Sequence, residues 1–255
     1  MEETTRKYEF TEETVTAPDG TILHRIKALI DFANINAGDL GGFIEELKNL
    51  DMSGDAWVYG DAWVSGDARV YGDACVYGDA WVYGNACVYG DARVYGDACV
   101  SGDAWVSGDA WVYGNACVYG NACVSGDAWV SGDACVYGDA WVSGDARVYG
   151  DAWVSGDARV YGDACVYGDA CVYGDAWEKS PLQMQGSRHF LTVSSYTELS
   201  IGCECHTFTV WLEQYEAIGK RNGYSSTEIT EYAQFIRLAV EWVKAFIPPV
   251  TKEGE

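Results

Sequence analysis

The sequence predicts a mainly β protein: a long coil of very short strands, framed by a β-rich N-terminal segment and a small C-terminal α+β module. Three observations carry this. A six-residue unit recurs 21 times between Gly54 and Lys179 without one insertion. Its third residue is always Ala and, until the last unit, its fifth is always Val, as in Ala56 and Val58. Each unit opens on Gly-Asp or Gly-Asn.

A fixed period dictates architecture before any other signal does. Ala and Val stand two residues apart, so they fall on one face of a strand. Gly-Asp supplies the turn, since Gly tolerates positive φ and Asp or Asn bonds to nearby backbone. Strands interrupted this often cannot form hairpins and still keep every Ala and Val on one side. A coil that turns the same way at every Gly can.

On these residues the repeat region, about half of the chain, resembles the hexapeptide-repeat family. The resemblance implies a left-handed parallel β-helix of triangular cross-section, with three hexapeptides per coil. It also implies that Val58 with Ala56, Val64 with Ala62, and so on to Val172 with Ala170, point inward. The 21 units then make about seven triangular coils, a prism roughly 34 Å long. In the last unit Glu178 takes the Val position, and the coil is expected to stop there. Leu50 and Met52 fall in the Ala and Val registers, so a degenerate coil is expected before Gly54. The chain divides accordingly into a capping segment (1–53), the coil (54–179) and a C-terminal module (180–255).

Residues 7–30 read as two strands around Pro18, Asp19 and Gly20, a hairpin signal. The KYEF strand and the phrase GDLGGFIE at 38–45 resemble the leader of prophage-encoded hexapeptide-repeat proteins. That implies a phage or prophage origin and brings no activity with it. Physically, the segment should cover one open end of the coil. After Pro181, HFLTVSS and TELSIGC read as two strands joined near Ser195 and Tyr196. Thr207 is expected to cap a helix that runs through Ile218 and is closed by Gly219. Ser225 and Glu228 form a capping box for a longer helix to about Phe246, stopped by Pro248 and Pro249. Its apolar stripe includes Ile229, Tyr232, Ala233, Ile236, Ala239, Val240 and Val243.

The net charge is −23, and the coil holds most of it: residues 54–177 contain 18 Asp against 4 Arg. In-register stacking puts Asp55, Asp73, Asp91, Asp109, Asp127, Asp145 and Asp163 in one column, while Asn85, Asn115 and Asn121 interrupt the other two. Each adjacent Asp pair repels by about 0.9 kcal/mol in water. Such a surface disfavours direct nucleic-acid or anionic-membrane binding and favours basic partners. The start MEETTRKYEF lacks the layout of a signal peptide and no run is long enough to span a bilayer, so a cytoplasmic place in the bacterial host is expected.

The fourth position of each unit points outward and holds only Trp, Cys or Arg. One column contains Trp57, Arg93, Trp111, Trp129 and Arg147; the second Trp63 and Trp81; the third Trp105, Trp141, Arg159 and Trp177. Neighbours such as Arg93 with Trp111, or Arg159 between Trp141 and Trp177, are placed for cation–π stacking. These residues are the candidate binding ladder. Their codons differ by single bases, the mark of recent duplication followed by point mutation. The eight coil cysteines, including the ladder Cys99, Cys117 and Cys135, are read in the same way as free thiols rather than as a disulfide framework or metal site. Cys203, Cys205 and His206 form the one candidate metal cluster outside the coil, with no fourth ligand nearby, and are read as buried strand thiols.

Acyltransferases and a zinc carbonic anhydrase class occur in the hexapeptide-repeat family and depend on histidine. This chain has only His24, His189 and His206, none in the coil, and no insertion loop to hold a substrate. The expectation is therefore a non-catalytic, phage-type acidic solenoid without cofactor or metal that binds or sequesters a host protein, as an inhibitor of host defence. Self-association is expected too, a trimer among the options, because the outward aromatics exceed what a monomer exposes. The alternatives are a DNA-mimic inhibitor of a DNA-binding protein, a structural scaffold, a sponge for a nucleotide signal, and a hexapeptide-repeat acyltransferase. A small-molecule ligand is left open.

Overall fold

A computed structural model describes residues 6–246. The coil is a β-solenoid whose rungs are mostly two residues long and stack into three parallel sheets. Each hexad aligns with the hexad 18 residues on: Val94 faces Val112 and Arg93 faces Trp111. The Ala and Val positions from Ala56 to Val172 are at most 1% exposed, so a single column of small and β-branched side chains fills the interior. Close stacking also explains the turn residue. Gly102 has φ +67°, and a Cβ there would lie 3.0 Å from both the N and the O of Gly120 in the next coil. Any side chain would be strained twice, by backbone conformation and by contact.

Upstream, β3 (Leu40–Ile44) and Leu50 add a leading turn, making about eight in all. Its register differs from the expected one. Ile44 pairs with Val64 and Leu50 bridges Val70, so Leu50 occupies the Val position and Met52 falls outside the register. The cause is a turn of two extra residues, pinned by the Ser53 amide donating to Asp51 Oδ1 at 3.1 Å. β1 (Tyr8–Thr16) and β2 (Ile22–Ala28) form the expected hairpin. β2 pairs with β3, so the hairpin continues one solenoid sheet.

The downstream end also departs from expectation. Trp177, read as outward, pairs with Val160 in a register slipped by one residue. Its ring turns inward and is 3% exposed. Glu178 therefore never enters the Val position, and Trp177 plugs the last coil.

The two ends carry opposite chemistry. Each coil's amides donate to carbonyls of the following coil, as Trp105 to Ala122 and Ser107 to Val124, both at 2.9 Å. Carbonyls are consequently left over at the N-terminal end and amides at the C-terminal end. Side-chain donors cover the first: Lys7 Nζ donates to Ala56 O at 2.8 Å, Tyr8 Oη to Leu50 O at 2.8 Å, and Asn49 Nδ2 to Ala68 O at 2.8 Å. Acceptors cover the second: Cys165 N donates to Ser180 Oγ, Tyr167 N to Gln183 Oε1, and Tyr173 N to Ser194 O. Both open sheet ends thus find partners for their orphaned backbone groups.

The C-terminal module is a four-stranded antiparallel sheet with two helices against it. Gln183–Gln185 and Glu204–Thr207 flank the two expected strands as edges. α1 (Phe208–Arg221) starts at Thr207, whose side chain accepts from Val210 N. Gly219 lies within it and does not close it: the turn is made by Gly223 at φ +71°, with Tyr224 N bonded back to Gly219 O. Gly219 is small for packing, since a Cβ there would meet Ile229 Cγ1 at 2.8 Å. α2 (Ser226–Phe246) follows the expected capping box, with Ser225 N donating to Glu228 Oε2 at 2.6 Å and Glu228 N to Ser225 Oγ at 3.2 Å. The stop expected at Pro248 and Pro249 lies outside the described residues.

Candidate functional site

The outward fourth positions form three faces of different character. On the first, four side chains make one continuous stack. Arg93 lies 5.1 Å over the Trp111 ring, Trp111 and Trp129 stack at 5.3 Å with planes 6° apart, and Arg147 closes the stack 5.4 Å over Trp129. In-register parallel pairing causes this, because identical positions of successive coils stand one strand spacing apart. Tyr95 and Tyr113, at the sixth position, stack alongside at 5.0 Å and meet the indoles edge-on. The sixth-position tyrosines were not singled out in the sequence, although the same 18-residue register predicts their column.

Trp57 does not belong to this surface. It is 0% exposed, enclosed by Tyr8 at 6.1 Å and Phe32 at 5.3 Å, both edge-on. The hairpin and its following loop close over the first rung, so a position that is outward by period is interior by packing. On the second face Trp63 and Trp81 stack at 4.7 Å, and the turn at Pro18 and Asp19 leans toward them, enclosing a groove of about 220 Å³. On the third face Trp105 and Trp141 are each about half exposed, separated by Cys123. Arg159 covers Trp141 at 5.6 Å but does not bridge to the buried Trp177.

The acidic columns run along the corners. Asp55 through Asp163 are unbroken, and in the other columns Asn takes part in the ladder: Asn85 Nδ2 donates to Asp103 at 2.7 Å, Asn115 to Asp133 at 2.6 Å, and Asn121 to Asp139 at 2.8 Å. Each Asn thereby removes two adjacent repulsions and gains one charge-assisted hydrogen bond. Partial desolvation and the neighbouring Asp133 and Asp169 hold the Asp151 carboxyl above its usual range. The coil thiols are half-buried. Burial pushes Cys117 up to about 11, with Cys99 and Cys135 adding to it, which keeps that thiol protonated and weakly nucleophilic at neutral pH.

Cys203 and Cys205 are exposed rather than buried. Glu204–Thr207 is an edge strand, and its alternation turns Glu204 and His206 toward the module and Cys205 away. His206 Nε2 pairs with Glu204 Oε2 at 2.7 Å, while Cys205 Sγ meets Tyr173 Oη across the junction with the coil. Among the described residues no group of three or more His, Cys, Asp or Glu side chains is arranged to hold a metal ion, and no helix is long and apolar enough to cross a membrane.

A partly open cavity of about 150 Å³ lies between the four-stranded sheet and the two helices. Its walls come from four separated segments, around 188, 203, 218 and 232, so no local motif announces it.

No curated protein matches the chain. Within the coil, residues 68–84, 86–102, 92–108, 116–132 and 140–156 match the family model described as the YdcK β-solenoid repeat. The solenoid of this chain is thus similar to the YdcK repeat, over part of its length.

Proposed function

We propose that this chain is a non-catalytic binding protein whose acidic solenoid sequesters a basic component of a host cell, as an inhibitor of host defence. The observation that carries the reading is the unbroken column from Asp55 to Asp163 beside the stack of Arg93, Trp111, Trp129 and Arg147. A straight row of carboxylates about 4.8 Å apart steers a basic surface toward the prism. The adjoining rings offer stacking area that is already ordered before a partner arrives. The repeats contain no histidine and no insertion loop, which supports a surface that binds rather than transforms. Exposed indoles on all three faces, such as Trp81, Trp129 and Trp141, support self-association as well, to be read by sedimentation. A DNA-mimicking mode ranks second, because each corner carries one charge per about 4.8 Å against about 3.4 Å along a DNA strand.

The test is capture from host lysate on the immobilised chain, beside a variant with Asp109, Asp127 and Asp145 changed to Asn. A specific partner that elutes with rising salt and is lost from the variant supports the reading. A partner that survives high salt, retention by the Asn variant, or acetyl transfer from acetyl-CoA by the purified protein sinks it. Displacement of the partner by duplex DNA selects the mimic mode.

A further inference from the structure

The cavity of the C-terminal module has an apolar floor and a polar rim that carries charges of both signs. Ile201, Trp211, Ile218 and Ile236 line its depth and are each at most 6% exposed. The polar atoms inside are already committed. Trp211 Nε1 donates to Leu199 O at 2.7 Å, and Tyr232 Oη donates to His189 O at 2.8 Å while accepting from the His189 amide at 2.6 Å. The floor therefore presents hydrocarbon and ring surface, while the rim carries the polar groups of Arg188, Glu204, Asn222 and Tyr224.

At the mouth stand Arg188, His189 and Glu204. Glu204 is largely engaged: Oε1 accepts from Arg221 at 2.6 Å and Asn222 at 2.9 Å, and Oε2 pairs with His206 at 2.7 Å. Asn222 first, then Arg221 and His206, hold its carboxyl down at about 2, so it stays ionised and turned to its own partners. Arg188 is in the opposite condition. Its guanidinium lies 4.8 Å over the Tyr224 ring and uses Nη1 on Gly223 O at 3.0 Å, yet among the described residues it makes no ion pair. The nearby Glu228 is occupied capping α2. The His189 ring, beside Gly202, is only part-buried at the same rim.

We infer that this cavity binds a small amphipathic anion, a monocarboxylate carrying one aromatic ring or a branched chain of similar size. Its carboxylate would lie on Arg188 at the mouth, beside His189, and its apolar body among Ile218, Trp211 and Ile236. The volume sets the size: about 150 Å³ accommodates a single benzene ring. The guanidinium, which has no carboxylate within ion-pair distance among the described residues, sets the charge, since Arg offers a planar fork that matches a carboxylate. This site is independent of the solenoid faces.

The test is amide and indole NMR of the full chain titrated with benzoate and, separately, with the neutral isostere benzamide. Wild type and Arg188→Gln are compared, and melting temperatures verify that the exposed substitution leaves the fold intact. Expected are saturable benzoate shifts of the Trp211 indole N–H and the Gly219 amide. Benzamide should bind roughly tenfold more weakly, and Arg188→Gln should lose a similar factor for benzoate, the size of one charged hydrogen bond. The inference fails if benzoate leaves those two signals unmoved at millimolar concentration, if benzamide matches benzoate, or if Arg188→Gln binds benzoate as wild type does.

Discussion

The ammonium of Lys7 lies 2.8 Å from the carbonyl oxygen of Ala56 and 3.2 Å from that of Gly54, at the open edge of the first coil. Lys7 is only 1% exposed, and burial holds its ammonium down at about 8, against the pull of Asp51, Asp55 and Asp73. A charged group is thus placed where a parallel solenoid has carbonyls without partners. Lys7→Met leaves the buried Ala56 carbonyl unpaired, and should cost roughly 1–3 kcal/mol at pH 7.

The same pair gives a pH signature. Between about 8 and its ordinary value of 10.5, Lys7 is protonated in the unfolded chain and deprotonated in the folded one. The unfolded state binds more protons there, so this contribution to stability rises with pH across that window. Buried thiols such as Cys75 and Cys117 act the other way, because burial raises them. The Lys7 effect is therefore read as a difference. Urea melts should show wild type gaining on Lys7→Met between pH 7.5 and 9.5; a constant gap contradicts the assignment.

Two glycines separate backbone strain from stacking. Gly38 has φ +100° with nothing within 4 Å of a notional Cβ, whereas Gly102 has φ +67° with the Gly120 backbone 3.0 Å away. Gly38→Ala should cost about 1–2 kcal/mol from conformation alone. Gly102→Ala adds an overpacked contact that rigid backbone cannot relieve, for roughly 2–5 kcal/mol in total. Equal melting temperatures for the two variants would show that the coils yield more easily than this spacing implies.

How far the sequence reveals the fold follows from where each restraint originates. Ala56 and Val58 declare their burial because the period itself places them, and Ser225 and Glu228 declare a helix start because the cap is local. Trp57 and Trp177 occupy the same periodic slot as Trp129, yet Trp57 is covered by the distant Tyr8 and Phe32, and Trp177 is turned into the coil by a one-residue register slip, with Tyr196 edge-on against it. Period cannot report what a cap covers. Gly219 was misplaced for a similar reason. A glycine near a helix end reads as a stop, whereas its need arises from Ile229 on the other helix. The stack of Arg93, Trp111, Trp129 and Arg147 was legible, since it needs only the 18-residue register. The cavity near Arg188 was not, because its walls meet only after the module has folded.

The Asn residues in the acidic columns predict a salt-dependent cost. Asn121→Asp removes the 2.8 Å hydrogen bond to Asp139 and creates like-charge contacts with Asp103 and Asp139. At low ionic strength the loss should be about 2–3 kcal/mol, two repulsions plus the lost hydrogen bond. At about 0.5 M salt the repulsive share is largely screened. The measurement is the urea midpoint of wild type and variant at both salt concentrations. A penalty unchanged by salt would assign the whole effect to the lost hydrogen bond and remove repulsion from the account of the corners.

Trp57 and Trp177 bookend the core, and each buries an indole N–H without a partner among the described residues. Their size is used and their polarity is not. Trp177 sits in the Val160 register with Tyr196 edge-on at 5.2 Å, filling the width of the last coil where the column of valines ends. Trp177→Ala should therefore open a cavity and cost roughly 3–5 kcal/mol. Trp177→Phe keeps most of the ring volume and removes the orphaned donor, whose burial costs about 1–3 kcal/mol. The two terms oppose each other, so Phe should fall within about 1.5 kcal/mol of wild type. Thermal melts of both variants decide the point. If Phe is as damaging as Ala, the indole N–H has a partner in solution, and the end of the coil is more polar than its packing indicates.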